Sequence, residues 1–239
     1  MSSKPALPIL LLAAALTAYP AEDGFKPLFD GKTFAGWTGM RGNPLPTQSW
    51  AVEDGMIRTQ EDGSGGDLRT TAEYTDFDLR WEWKISDRGN SGIKYNVQDE
   101  WINTSFRPDW SDEKKEQAHH FAIGFEYQIS DDSLFEGKQD WKKSATGALY
   151  LLEWAEEKPL KPVGEWNESR IVVHGTHGEH WLNGKKLFEF EMGSRALMDK
   201  VKQTKFRVAP GYGIKGPGPI VLTHHGTPVW YRNLRIKPE

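Results

Sequence analysis

The sequence predicts an all-β protein, a two-sheet antiparallel sandwich, and three observations carry that prediction. Polar and apolar residues alternate cleanly in FDLRWEWKI, where Phe77, Leu79, Trp81, Trp83 and Ile85 interleave with Asp78, Arg80, Glu82 and Lys84. Turn signals built from Gly, Asn, Asp and Pro recur about every ten residues, the spacing of short strands joined by hairpins. No strand-helix-strand rhythm and no internal repeat interrupts the pattern.

The chain begins with Lys4 ahead of an apolar run from Ala6 to Ala18, with small residues at Ala18 and Ala21. This is the pattern of a secretory signal peptide over residues 1–21, which would leave one β-sandwich domain over 22–239 in a periplasmic or secreted protein. The apolar run is shorter than the ~20 residues a spanning helix needs, so no stable membrane insertion is expected after cleavage. The 239 residues include no Cys, so core packing rather than disulfides must stabilise the domain. Net charge is −4, without a concentrated basic surface, which argues against a nucleic acid partner. Trp outnumbers Tyr, 11 to 7; exposed indoles suit stacking on sugar rings, although most indoles in a sandwich are core.

Taken in order, FKPLFDGKTFAGW opens the domain with the turn Asp30-Gly31, and TQSWAVEDGMIRT is a hairpin around Asp54-Gly55. After the strand Phe77 to Ile85, the turn DRGNSGIKY places Asn90 and Ser91 between Gly89 and Gly92 before Ile93 and Tyr95 resume alternation. A charged insertion follows from Trp101 to His119, with one helical turn over Asp112 to Gln117. The stretch Phe121 to Asp132 has two unlike faces. Phe121, Ile123, Phe125, Tyr127 and Ile129 point one way; Ala122, Gly124, Glu126, Gln128 and Ser130 point the other and leave room for a ligand. TGALYLLEW reads as a short strand, Asn183-Gly184 as a hairpin turn, Ser194 to Lys205 as one short helix, and IVLTHHGTPVWYRNLRIKP as extended on both sides of Gly226 to Pro228.

Groups able to do chemistry fall in four places: Arg80, Glu82 and Lys84; Arg88, Asn90, Ser91 and Lys94; Glu126, Gln128 and Asp131; and His224, His225, Arg232 and Asn233. They form one groove if their strands neighbour one another, and each alone is more often structural. There is no GxSxG elbow, no Cys nucleophile and no GxxxxGK[ST] phosphate cradle. His174, His177 and His180 recur every third residue around a hairpin turn, where extended geometry sends them in different directions and disfavours a metal site.

FKPLFDGKTFAGW, RGNSGI, GFEYQISDD, TGALY, GEWNESRIVVHG with LNGKK, and HHGTPVWYRNLRIK occur in this order in the 3-keto-disaccharide hydrolase family, which the chain resembles from about Phe25 to Lys237. The resemblance implies a concanavalin A-like jelly roll that cleaves glycosides already oxidised at C3. A C3 ketone acidifies the C2 hydrogen, so a base can form the enolate and expel the aglycone from C1, after which water adds. On this reading Glu126 is base or acid, oriented by Gln128; Arg88 and Lys94 stabilise the enolate; and His225 is the complementary acid or a ligand for a divalent ion. Asn90 and Arg232 bind hydroxyls, with Ser91 and Asp131 also facing substrate. The reading names no definite cofactor, and a divalent metal stays open. The same sandwich also serves non-catalytic carbohydrate-binding, lectin-like modules, the competing reading.

Overall fold

A computed structural model describes residues 24–239; the expected signal segment, 1–21, lies outside the described residues. The strands are β1 (Lys26–Pro27), β2 (Trp37–Thr38), β3 (Trp50–Glu53), β4 (Met56–Thr59), β5 (Leu68–Tyr74), β6 (Phe77–Ile85) and β7 (Asn90–Tyr95), then β8 (Phe125–Ser130), β9 (Asn167–His174), β10 (His177–Leu182), β11 (Lys185–Glu191), β12 (Gly218–Leu222) and β13 (Val229–Pro238). Three short helices, α1 (Trp101–Thr104), α2 (Asp112–Ala118) and α3 (Arg195–Lys202), sit in the connections. An eight-stranded sheet runs β11-β10-β9-β6-β13-β4-β3, with β1 added beside β13, and a five-stranded sheet runs β2-β5-β12-β7-β8. Every pairing is antiparallel, and the result is the predicted jelly-roll sandwich. Among the described residues, no helix is long and apolar enough to cross a membrane.

The core lies between the sheets and is filled by the apolar faces that alternation predicted. Leu79, Trp81 and Trp83 of β6 are fully buried against Phe125, Tyr127 and Ile129 of β8. Trp81 meets the Tyr127 ring edge-on at 5.0 Å. The Ser169 hydroxyl donates to the Tyr127 oxygen at 2.8 Å and accepts from Trp83 Nε1 at 2.9 Å, so a short polar bridge spans the sandwich. Asp54-Gly55 and Asn183-Gly184 both adopt positive φ, 49° and 76°, 46° and 79°, the backbone that two-residue hairpins require. Ser111 caps α2 and Ser194 caps α3, each accepting from a backbone N–H three residues on.

The outer face of β6 departs from expectation. Asp78 is gripped by Arg170 through two contacts of 2.8 Å and by Arg80 at 3.0 Å, and Glu82 accepts from Arg232 Nε at 2.8 Å and Asn233 Nδ2 at 3.1 Å. This network lies on the eight-stranded sheet, facing away from the other sheet. TGALYLLEW is not a regular strand: positive φ at Gly147 and Leu151 breaks it into turns, and only single bridges remain, Tyr127 with Leu149 and Leu149 with Glu153.

Extended geometry sets only one of the three histidines apart, because the hairpin makes His174 and His177 direct cross-strand partners on one face. His174 and His177 point outward, while His180 is fully buried with both ring nitrogens used: Nδ1 donates to the Gly147 carbonyl at 3.0 Å and Nε2 accepts from the Tyr95 hydroxyl at 2.8 Å. Burial lowers the His180 pKa to about 3, from an ordinary value of 6.5. The unfolded chain therefore binds a proton that the folded one refuses, and the stability His180 contributes, complete above pH 6.5, is lost as pH falls toward about 3. Urea unfolding at pH 7 and pH 4 is expected to show a loss of about 3 kcal/mol traceable to this residue, since one pKa unit is about 1.4 kcal/mol. His180→Gln, which can accept from Tyr95 and donate to Gly147, is expected to flatten that acid limb.

Candidate active site

The site is built on the five-stranded sheet, on the face turned away from the core. Lys94 on β7 and Glu126 on β8 are direct cross-strand partners, with Gly92 opposite Gln128 and Asn90 opposite Ser130 in the same ladder. Alternation then sets the faces: Tyr95, Ile93, Tyr127 and Ile129 go inward, while Lys94, Glu126, Gln128 and Asn90 go outward together. On the other side of β7, Thr223 donates its backbone N–H to the Gly92 carbonyl, and its hydroxyl reaches Glu126 Oε1 at 3.4 Å. The Glu126 carboxylate lies over Gly92, where a Cβ would stand 2.6 Å from Oε1 and 2.9 Å from the Tyr127 carbonyl. Glycine at 92 is thus a steric condition for the placement of Glu126.

Asp67, just ahead of β5, ties three segments to this face. It accepts from the N–H of Ala122 at 2.9 Å and of His224 at 3.1 Å, and it lies 3.7 Å from the Lys94 ammonium, which also donates to the Ala122 carbonyl at 2.9 Å. Burial is the largest single influence on Lys94 and works against its charge, but Glu126 and Asp67 together outweigh it and hold its pKa above the ordinary value. Lys94 is a fixed buried cation.

His224 and His225 part company where the chain leaves β12. His224 packs edge-on against Trp50 at 5.4 Å, and its Nδ1 accepts from the Gly226 N–H at 3.0 Å. His225 has the same parity as Thr223 and joins the outer face, within the fields of Glu126, Lys94, Asp67 and Lys205. Part of its surface meets solvent, yet desolvation by the surrounding chain dominates and lowers its pKa below 6.5, so the ring is neutral near pH 7.

The backbone of 147–150 finishes the far edge of β8. Gly147 N–H donates to the Gln128 carbonyl, Gln128 N–H to Ala148, and Tyr150 N–H to the Glu126 carbonyl at 3.0 Å. Tyr150 is thereby set beside Glu126; burial, then the Glu126 charge, raises its pKa and keeps the phenol protonated. Lys205 lies over the Tyr150 ring at 5.0 Å, and burial lowers its pKa. Phe206 beside it stacks on Tyr212 at 4.3 Å, which anchors this rim.

Glu126, Lys94, Gln128, Asn90 and His225 therefore share one surface, and the other predicted site residues do not. Arg88 is exposed at the turn before β7, two residues beyond Asn90, which itself stands four strand residues, about 13 Å, from Lys94. Its positive φ of 53° is held by an N–H bond to Asp131 Oδ2 at 2.9 Å, and the other Asp131 oxygen caps the following turn through the Ser133 N–H. Arg88 and Asp131 shape a loop instead of facing Glu126. Ser91 points into the core, where its hydroxyl contacts the Thr223 carbonyl and, at 2.6 Å, the Tyr231 hydroxyl. Arg232 stands on the outer face of the opposite sheet, paired with Glu82 and lying 3.9 Å above the Trp166 ring. Gln128 and Asn90 hold each other, amide to carbonyl at 2.7 Å, so Gln128 stiffens the strand pair more than it orients Glu126.

A divalent ion is poorly matched to the Glu126 and His225 pair, because the charge of the Lys94 ammonium already compensates the Glu126 carboxylate. Among the described residues, the His, Asp and Glu group with metal-like spacing is His177, Glu179 and Glu189 on the other sheet, and there Lys186 bonds both carboxylates.

Comparison with known proteins agrees with this architecture. A protein described as having a galectin-like fold, from Bacillus subtilis, superposes with a TM-score of 0.52 at 10% identity over 89% of this chain and 94% of that one, a likeness of fold. A crystal structure from Parabacteroides distasonis, assigned provisionally to the glycosyl hydrolases, superposes with a TM-score of 0.73 at 35% identity over 90% of this chain and 94% of its own. The 3-keto-disaccharide hydrolase of Bacteroides thetaiotaomicron is 32% identical over 90% of this chain and 78% of its own length. Residues 24–237 match the family described as the 3-keto-alpha-glucoside-1,2-lyase-like domain. The chain belongs to this family and is a hydrolase of glycosyl bonds.

Proposed function

We propose that the protein cleaves glycosides whose sugar carries a ketone at C3, by elimination followed by hydration. The observation that carries this reading is the cross-strand pairing of a carboxylate, Glu126, with a fixed buried cation, Lys94, beside a neutral histidine. Ordinary glycosidases place two carboxylates across the scissile bond. Here a carboxylate faces a cation, an arrangement suited to drawing a proton from carbon while holding the negative charge that forms on a neighbouring oxygen.

In the first step Glu126 takes the C2 hydrogen, the electron pair enters the C3 carbonyl as an enolate beside Lys94, and the C1–O bond breaks as C1=C2 forms. The departing oxygen takes a proton from the Tyr150 phenol. In the second step water gives its hydroxyl to C1 and C2 regains a proton from Glu126, whose acid proton has meanwhile exchanged with solvent, while His225 takes the proton that water loses and returns it to Tyr150. The sum is one glycoside plus one water giving a 3-keto sugar and a free aglycone, with every protein group back in its starting state.

Incubating the enzyme with a 3-keto disaccharide and with the same disaccharide unoxidised tests this directly. Cleavage of the keto form alone, with exchange of the C2 hydrogen for solvent deuterium, is the expected result. Equal cleavage of both forms, or cleavage without C2 exchange, overturns it.

A further inference from the structure

Next to the Glu126 cluster is a cavity of about 710 Å³, between the loop after β8 and the C-terminal end of α3. Phe135, Trp141 and Trp154 give it aromatic walls, and Lys143, Lys200 and Lys205 stand around it. The cavity shares a wall with the reaction centre. Ser144 and Lys205 line it; Ser144 hydrogen bonds to Tyr150, and Lys205 lies over the Tyr150 ring within the field of Glu126. Tyr150 thus stands between the cavity lining and Glu126.

The charges in this cavity are unbalanced. Lys143 pairs with Asp140 at 3.1 Å and Lys200 with Glu153, but among the described residues no carboxylate lies within ion-pair distance of Lys205, which has only the rings of Tyr150 and Phe206. Four lysines line the cavity, counting Lys138, against one acidic residue, Asp140. Its volume falls within the range of small-molecule sites, and flat indole walls favour a flat guest. A second hexose would find aromatic faces here but no reason for the excess of ammonium groups.

We propose that this cavity receives the group that leaves C1, and that it selects a flat aromatic leaving group carrying a negative charge. The proposal rests on the reaction assigned above, because the tyrosine standing between the cavity lining and Glu126 is the group that protonates the departing oxygen. An aryl carboxylate would lie between Trp141 and Trp154 with its anion toward Lys205.

Two measurements test it separately from the reaction. In the first, Trp154→Ala is assayed on the 3-keto-glucosides of 4-hydroxybenzoate and of methanol. The variant is expected to lose about tenfold in kcat/KM on the aryl substrate, the worth of one aromatic contact, and to stay within about twofold on the methyl one. Equal losses on both substrates, or none on either, overturn the proposal. The second follows binding of the unoxidised 4-carboxyphenyl glucoside to the full chain by tryptophan fluorescence. Binding that weakens about tenfold in Trp154→Ala and falls with added salt supports the cavity even if no 3-keto glycoside is cleaved, which would sink only the reaction. Cleavage of 3-keto glycosides with no binding of the aryl glucoside keeps the reaction and removes the subsite.

Discussion

Glu126→Gln is expected to lower kcat on a 3-keto-glucoside by about 10²- to 10⁴-fold while the protein stays folded, with a modestly lowered unfolding midpoint because Lys94 loses a compensating charge. The amide is isosteric with the carboxylate and keeps an oxygen for the Thr223 hydroxyl at 3.4 Å, so packing over Gly92 is preserved while the ability to take a proton and the charge that supports Lys94 are lost. Wild-type kcat/KM is expected to fall in acid below pH 6.5, because desolvation lowers the His225 pKa beneath that value and the ring must be neutral to accept a proton from water. Near-normal turnover in a well-folded Glu126→Gln protein would remove Glu126 from the mechanism.

The second large effect is at Asp67. Asp67→Ala is expected to destabilise the fold by about 3 kcal/mol and to abolish measurable turnover, because it takes the acceptor from two buried backbone N–H groups and leaves the Lys94 ammonium with less compensation. Asp67→Asn separates the two roles. An amide oxygen still accepts one of the N–H bonds, so much of the stability returns, but the negative charge near Lys94 does not. Urea unfolding and single-turnover assays of both variants read this out. An Asp67→Ala protein as stable and active as the wild type would show that the three segments are held by other means.

Alternation and turn chemistry account for what was legible in the chain. β6, the Phe125–Ser130 part of the Phe121 to Asp132 stretch and the Asn183-Gly184 hairpin follow from residue spacing, because each strand has one face that must leave water, whereas residues 121–124 are not strand and bury Ala122 and Gly124 instead of Phe121 and Ile123. Glu126, Lys94, Gln128 and Asn90 were legible for the same reason, being the positions that alternate with core residues on β7 and β8. Ser91 contained its own warning: it has the parity of Ile93 and Tyr95, so a strand that buries those two must bury it as well. Arg232 and the polar face of β6 were misplaced because alternation says which residues share a face but not which of two sheets the strand joins. Asp67, Tyr150, Thr223 and Lys205 gave no local signal at all. Each lies in or beside a connection, and a contact with another segment brings it to Glu126, as when the Tyr150 N–H finds the Glu126 carbonyl or the Lys205 ammonium lies over the Tyr150 ring.

On β8 each outward residue is flanked by neighbours sunk between the sheets, Glu126 by Phe125 and Tyr127, Gln128 by Tyr127 and Ile129. The amides of this strand are therefore expected to exchange with deuterium only when the whole domain opens, and the chemistry cannot be loosened without melting the protein. Divergence toward new sugars would have to be written in the surrounding loops, with the strand pair inherited intact.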